Sequence, residues 1–194
     1  TGFFNDSPLQ LHQTLRGLPT TDVILTYCRG TTLGGEAACL IGKQITYDLT
    51  RGTDGSLGIS TSALPNGFGI EWGRQLTAGK RTDTAATNGA SVDDGASSTF
   101  GLQAFLHVFS FTGTSVTVKL QESSDDAVGD PYADVVGGGF TQITTGQAPK
   151  AQRIATATNL AVEEWLKVTT VTTGGFTSCT FAVMVVRNLA VPAF

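Results

Sequence analysis

The stretch 103-QAFLHVFSFTGTSVTVKLQES-123 decides the class of fold. It reads as a strand, a tight turn at Thr112-Gly113-Thr114 and a second strand. In the first strand Phe105, Phe109 and Phe111 fall on one face with His107 between them, and Ala104, Leu106 and Val108 fall on the other. Apolar residues on both faces predict a central strand covered twice. In the second, Val116, Val118 and Leu120 alternate with Thr117, Lys119 and Gln121, the pattern of a strand with one wet face. The expectation is a hairpin inside a sandwich, with Leu106 and Val108 covered by further chain or by a neighbouring subunit.

Composition agrees with an all-β chain. The 24 glycines and the single methionine, in a sequence rich in threonine, favour strands joined by tight turns. Threonine suits a pleated surface, and glycine supplies the positive φ that turns need. With 40% hydrophobic and 14% charged residues, the 194-residue chain reads as folded. The net charge of -4 is spread evenly, so neither half has the basic surplus that phosphate binding requires. No apolar run reaches the roughly 20 residues of a membrane-spanning helix, and TGFFNDSP lacks the regions of a signal peptide. Cys28, Cys39 and Cys179 fall within predicted strands and read as reduced, buried thiols rather than a disulfide.

In chain order, TGFF reads as the end of a strand begun earlier. A short helix of about ten residues follows, capped by Ser7, with Pro8 at its first position and Leu11, Leu15 and Leu18 on one face. Strands are expected at 22–29, at 38–48 with Ile41, Ile45 and Tyr47 on one face, at 56–63, and at 68–76 with Ile70 and Trp72 inward and Glu71 and Arg74 outward. Asp54-Gly55 is a hairpin signal. From 77 to 98 the periodicity vanishes, which predicts a linker able to reach a second domain or a neighbouring molecule. The expected organisation is two β-sandwich-type domains. The first, residues 1–78, carries the helix; a linker covers 79–96; the second, residues 97–194, is jelly-roll-like. In the second, Gly137-Gly138-Gly139 and Gly174-Gly175 read as turns, the latter between the last two strands.

Candidate chemistry is sparse. Asp125, Asp126, Asp130 and Asp134 are acidic neighbours, but their spacing is not that of a calcium loop, so they read as a solvated turn. His107 lies on a core strand and His12 on the helix, without an evident shared acid. Adjacent Glu163 and Glu164 point to opposite faces of a strand and do not make a carboxylate pair. No G-x-S-x-G elbow or phosphate-binding glycine loop occurs. An enzyme is the class these residues support least, and no catalytic, metal or cofactor residue is assigned.

Four segments in order carry a resemblance: RGTTLGGEAACLIGKQITYDLTRGTDGSL, NGFGIEWGRQLTAGKRTDTAATNG, FGLQAFLHVFSFTGTSVTVKLQESSDDAVGDPYADV and TFAVMVVRN. The series resembles the major tail (tail tube) proteins of long-tailed phages of actinobacteria. The resemblance implies a virion protein assembled in the host cytoplasm, with a tube-forming domain before the linker and an added sandwich after it. It implies stacked hexameric rings that contact other tail proteins and let DNA pass the lumen without specific binding. It also implies several strands preceding Thr1. Loop charges at Arg29, Glu36, Lys80, Arg81 and Asp83 are the expected subunit-interface residues. Two other classes fit the same composition: a capsid decoration protein, and a host-surface glycan-binding sandwich with Trp165 or Tyr132 as its platform.

Overall fold

The computed structural model describes Gly2, Phe3, His12, Leu15, Arg16 and residues 22–67 and 69–190. The chain is all-β, built on two sheets. Its strands are β1 (Gly2–Phe3), β2 (Val23–Cys28), β3 (Glu36–Arg51), β4 (Leu57–Pro65), β5 (Glu71–Gln75), β6 (Arg81–Asp83), β7 (Asn88–Asp93), β8 (Leu102–Gly113), β9 (Ser115–Ser123), β10 (Ala133–Gly139), β11 (Ile143–Thr144), β12 (Lys150–Ala155), β13 (Trp165–Val171) and β14 (Phe176–Arg187). Two compact units divide them. The smaller takes Thr1–Leu25 and Leu40–Ile70, and the larger takes Thr26–Cys39 and Glu71–Phe194.

The larger unit is a sandwich made of arches. β8 pairs antiparallel with β14 from Leu102↔Arg187 to Gly113↔Phe176. β9 pairs with β13 from Thr117↔Val171 to Ser123↔Trp165. Yet β8 and β9 belong to different sheets, as do β13 and β14. The turns at Thr112–Thr114 and at Gly174-Gly175 are therefore corners from one sheet to the other, which corrects the expected hairpins. The two corners are joined, because Thr114 N donates to Gly175 O at 2.9 Å. Gly113, at φ 151°, meets them there: a Cβ would stand 2.4 Å from Phe176 Cα, so no larger residue fits.

The expected linker is the third arch. β6 pairs with β14 (Asp83↔Cys179, Arg81↔Phe181) and β7 pairs with β13 (Val92↔Leu166, Asp93↔Trp165). The proposed break at 79–96 is thus an integral part of the larger unit. Its polar composition misled because short strands at a sandwich margin need few large apolar residues. Here Val92, 5% exposed, points inward.

Between the sheets lie Leu102, Ala104, Leu106 and Val108 of β8, Val116, Val118 and Leu120 of β9, Leu166 and Val168 of β13, and Phe181, Val183 and Val185 of β14. Full burial of each valine, leucine or phenylalanine among them contributes about 1.5–3 kcal/mol. A register shift interrupts β8, since Val108 faces Phe181 while Ser110 faces Thr180. Phe109 is left over as a bulge, and the phase of the strand reverses after it. Phe111 then packs inward against Phe176, with ring centroids 6.2 Å apart. Phe109 turns outward, where the Lys80 Nζ lies 4.3 Å from its ring centroid.

The second face of β8 is covered too. Phe105 and Met184 are buried there, Arg153 lies over the Phe105 ring, and the Thr26 hydroxyl is 2.9 Å from His107 Nε2. The expectation of a strand covered on both sides holds from Leu102 to Val108; beyond the bulge Phe109, Ser110 and Thr112 are exposed, and the expected grouping of Phe105, Phe109 and Phe111 on one face fails. β5 departs from expectation at Glu71 and Trp72: Glu71 is held by Arg153 at 3.0 Å and Gln75 is buried, while Trp72 stands 62% exposed; Arg74 faces outward as expected. The glycine run 137–139 lies in β10 across a register shift against β9 rather than in a turn between strands.

In the smaller unit β3 and β4 form the hairpin that Asp54-Gly55 predicts. Gly55 takes φ 83°, and Asp54 Oδ1 accepts from Ser56 N at 3.0 Å. A second bulge changes the reading of β3. Gln44 pairs with Ala63 and Thr46 with Ser62, so Ile45 has no partner on β4. Gln44 is consequently buried, its Nε2 donating to Leu15 O at 2.8 Å, and Ile45 is 54% exposed. The predicted grouping of Ile41, Ile45 and Tyr47 on one face fails at that point. The expected helix falls largely on residues outside those described. Among the described residues, no helix is long and apolar enough to cross a membrane.

Candidate functional site

The five charged residues expected at a subunit interface divide into two kinds. Arg29 and Glu36 flank the turn between β2 and β3, where Arg29 N donates to Glu36 O. Their side chains pair at 2.8 Å while staying 73% and 61% exposed. Water screens such a pair, so it adds little to the fold and either partner is free to exchange to a second surface. Lys80 lies over Phe109, as described above, and remains exposed.

Arg81 and Asp83 are of the other kind. Both lie on β6 two residues apart, so they share a face. Arg81 Nε and Nη2 donate to Asp83 Oδ1 and Oδ2 at 2.7 and 2.6 Å. Arg81 also donates to Val168 O and Thr87 O, both at 3.1 Å, and Thr170 Oγ1 donates to Asp83 Oδ2 at 2.7 Å. Asp83 is 4% exposed. The pair is an internal clasp holding the third arch to β13, which corrects its assignment to a subunit-facing loop. The R-x-D spacing on a strand was the available signal.

A second arginine clasp went unread in the sequence. Arg187, at the end of β14, donates from Nε to Ser98 Oγ at 3.2 Å and from Nη1 to Asp94 Oδ2 and Glu164 O, both at 3.3 Å. Its Nη2 donates to the carbonyls of Val162 and Glu163. Burial pushes the Asp94 carboxyl up from its ordinary value, against the opposing pull of Arg187 and Arg74. Burial likewise pushes the Arg187 guanidinium down, with Asp94 opposing. On both partners desolvation outweighs attraction.

The four aspartates, three in the loop after β9 and Asp134 on β10, do not converge. Asp125 accepts from the amides of Val128, Gly129 and Asp130 at 3.0, 2.6 and 3.1 Å. Asp130 accepts from Ser124, Asp126 from the Tyr132 hydroxyl, and Asp134 from Lys119 and Gln121. Among the described residues, no group of three or more histidine, cysteine or acidic side chains is arranged to hold a metal ion. Tyr132, one of the two aromatics considered as a platform, is covered by Lys167, whose Nζ stands 3.6 Å from the ring centroid. Trp165 is half-buried on β13. His107 is held by Thr26, and burial keeps its imidazole below the ordinary value. The three cysteines are free thiols.

Part of the outward-facing surface is apolar. In the smaller unit Leu25, Ile45, Leu49, Leu64 and Ile70 are between 37% and 62% exposed. Among that unit's described residues, Ile59 is the one buried large apolar side chain. No family model matches the chain, and comparison with curated proteins finds no match.

Proposed function

We propose that this chain is a structural, non-catalytic subunit of a phage virion: a major tail protein whose copies form hexameric rings stacked into a tube. The observation that carries the reading is the apolar exposure of the smaller unit. Among its described residues, five large aliphatic side chains in the open beside one in a core describe a surface built to be covered. Closed rings cover such surfaces and pair sheet edges, and repetition along an axis makes a filament. The exposed Arg29–Glu36 pair lies on a hairpin loop able to exchange partners between copies, which suits a salt-sensitive contact. A net charge of -4 agrees with a lumen to which passing DNA does not adhere. Other tail proteins would meet the ends of the tube.

The test is electron microscopy of the purified chain across a concentration series, beside the Ile45→Asp/Leu64→Asp variant. Six-fold rings or tubes in the parent and a dispersed variant are the expected outcome. Three-fold clusters in place of rings would favour a capsid decoration protein. A parent that stays monomeric at about 100 μM would overturn the reading, because a specific self-assembly interface binds well below that concentration.

A further inference from the structure

Beyond assembly, the larger unit carries a cavity of about 210 Å³ at one end of its sandwich. We infer that it is a saccharide-binding site for a single sugar ring, with Trp72 as the stacking platform and Arg74, Asp94 and Ser97 as the polar groups. Trp72 and Arg74 lie two residues apart on β5 and share a face. Trp72 and Leu189 give the cavity an apolar side, with Val185 and Gly73 also lining it. On the polar side the Arg74 Nη1 donates to Asp93 O at 2.8 Å, and its Nε lies 3.5 Å from Asp94 Oδ1. Arg187 holds the other oxygen of Asp94 at 3.3 Å. The carboxylate and guanidinium are therefore oriented before any ligand arrives.

The chemistry selects among ligands. A sugar ring presents a C–H face that packs on indole and hydroxyls that both donate and accept. Asp94 supplies an acceptor, Arg74 a donor and Ser97 either. A phosphate or carboxylate would meet the Asp94 charge, and a cation would meet two arginines. The volume lies below the roughly 300–1,000 Å³ of pockets that enclose drug-sized ligands, which suits one ring. An added peptide strand is excluded at β5, because that strand is paired with β3 on one side and β14 on the other. The platform is also stiff: a Cβ at Gly73 would stand 2.0 Å from Val185 O, so β5 lies closely against β14 beneath Trp72.

This inference does not depend on the tail assignment. Saturation-transfer NMR of the intact chain with free glucose, galactose, mannose and N-acetylglucosamine tests it, with fluorescence titration in a Trp165→Phe background where Trp72 alone reports. At least one sugar should bind saturably in the millimolar range, and Trp72→Ala should weaken it at least about ten-fold. Ser97→Phe, which fills the cavity while leaving the tryptophan, should do the same. Unchanged unfolding temperatures in the variants show that the fold survives. Absence of saturable binding for all four sugars up to about 100 mM, or undiminished binding in either variant, would overturn the assignment.

Discussion

Replacing Arg187 by methionine tests how the sandwich is held at the end of β14. The guanidinium is 7% exposed and makes hydrogen bonds to Ser98, to Asp94 and to the carbonyls of Val162, Glu163 and Glu164. Methionine keeps the aliphatic stem and removes every donor. Asp94, 10% exposed, is left with Arg74 alone, whose side chain is 46% exposed and stands 3.5 Å away. Removing one partner of a buried pair destabilises by about 3–5 kcal/mol, because the other charge stays buried and uncompensated. At roughly 2–4 °C per kcal/mol for a domain of this size, that is a fall in Tm of about 6–20 °C. Urea unfolding followed by tryptophan fluorescence reads it directly, since Trp72 and Trp165 both lie in the larger unit. The double variant Asp94→Leu/Arg187→Met supplies the decisive comparison. Desolvation outweighs attraction on both partners, so an apolar pair should recover about 2 kcal/mol or more of the single variant's loss. A single variant within about 1 kcal/mol of the parent, or a double variant no more stable than the single, would refute the reasoning.

Two further outcomes follow from buried titratable groups. Burial holds the His107 imidazole below its ordinary 6.5, so between the two values the unfolded chain binds more protons than the folded one. The stability from this group is fully present above pH 6.5 and is lost as pH falls through the window toward the folded value; urea midpoints at pH 5.5 and 7.5 should differ accordingly, and His107→Gln should flatten the difference. Burial also pushes the Cys39 and Cys179 thiols up to about 11, while Cys28 is only half-buried. A colourimetric thiol reagent at neutral pH should therefore label Cys28 alone in the folded protein and all three cysteines in urea; rapid native labelling of Cys179 would contradict its burial.

The strands of the larger unit were legible because alternation is a local property. Val116, Val118 and Leu120 declare an inward face whatever they pair with, and their burial follows. Partnership is not local. A turn such as Thr112-Gly113-Thr114 has the same composition whether it closes a hairpin or carries the chain between sheets. What decides is that β14, more than sixty residues on, offers β8 an eleven-pair antiparallel register. Bulges hide for a related reason. Phe109 and Ile45 each sit in an apparently regular pattern, and only the count of residues on the opposing strand shows that one must be left over.

The same limit governs the sites. The sequence rule that apolar residues point inward assigned Ile70 and Trp72 to a core and Glu71 to solvent. β5 adopts the opposite phase because Glu71 meets Arg153 and Gln75 fits beneath the strand, interactions at separations no pattern window covers. One residue of phase is enough to turn a tryptophan from the core into solvent. For Arg81 and Asp83 the information was local after all, since alternate residues of a strand must share a face, and opposite charges in that register favour each other over any neighbour. An interface in this chain is therefore to be sought among side chains whose own fold leaves them without such a partner. Leu64 and Ile70 meet that condition by their exposure; Asp83, enclosed by Arg81 and Thr170, does not.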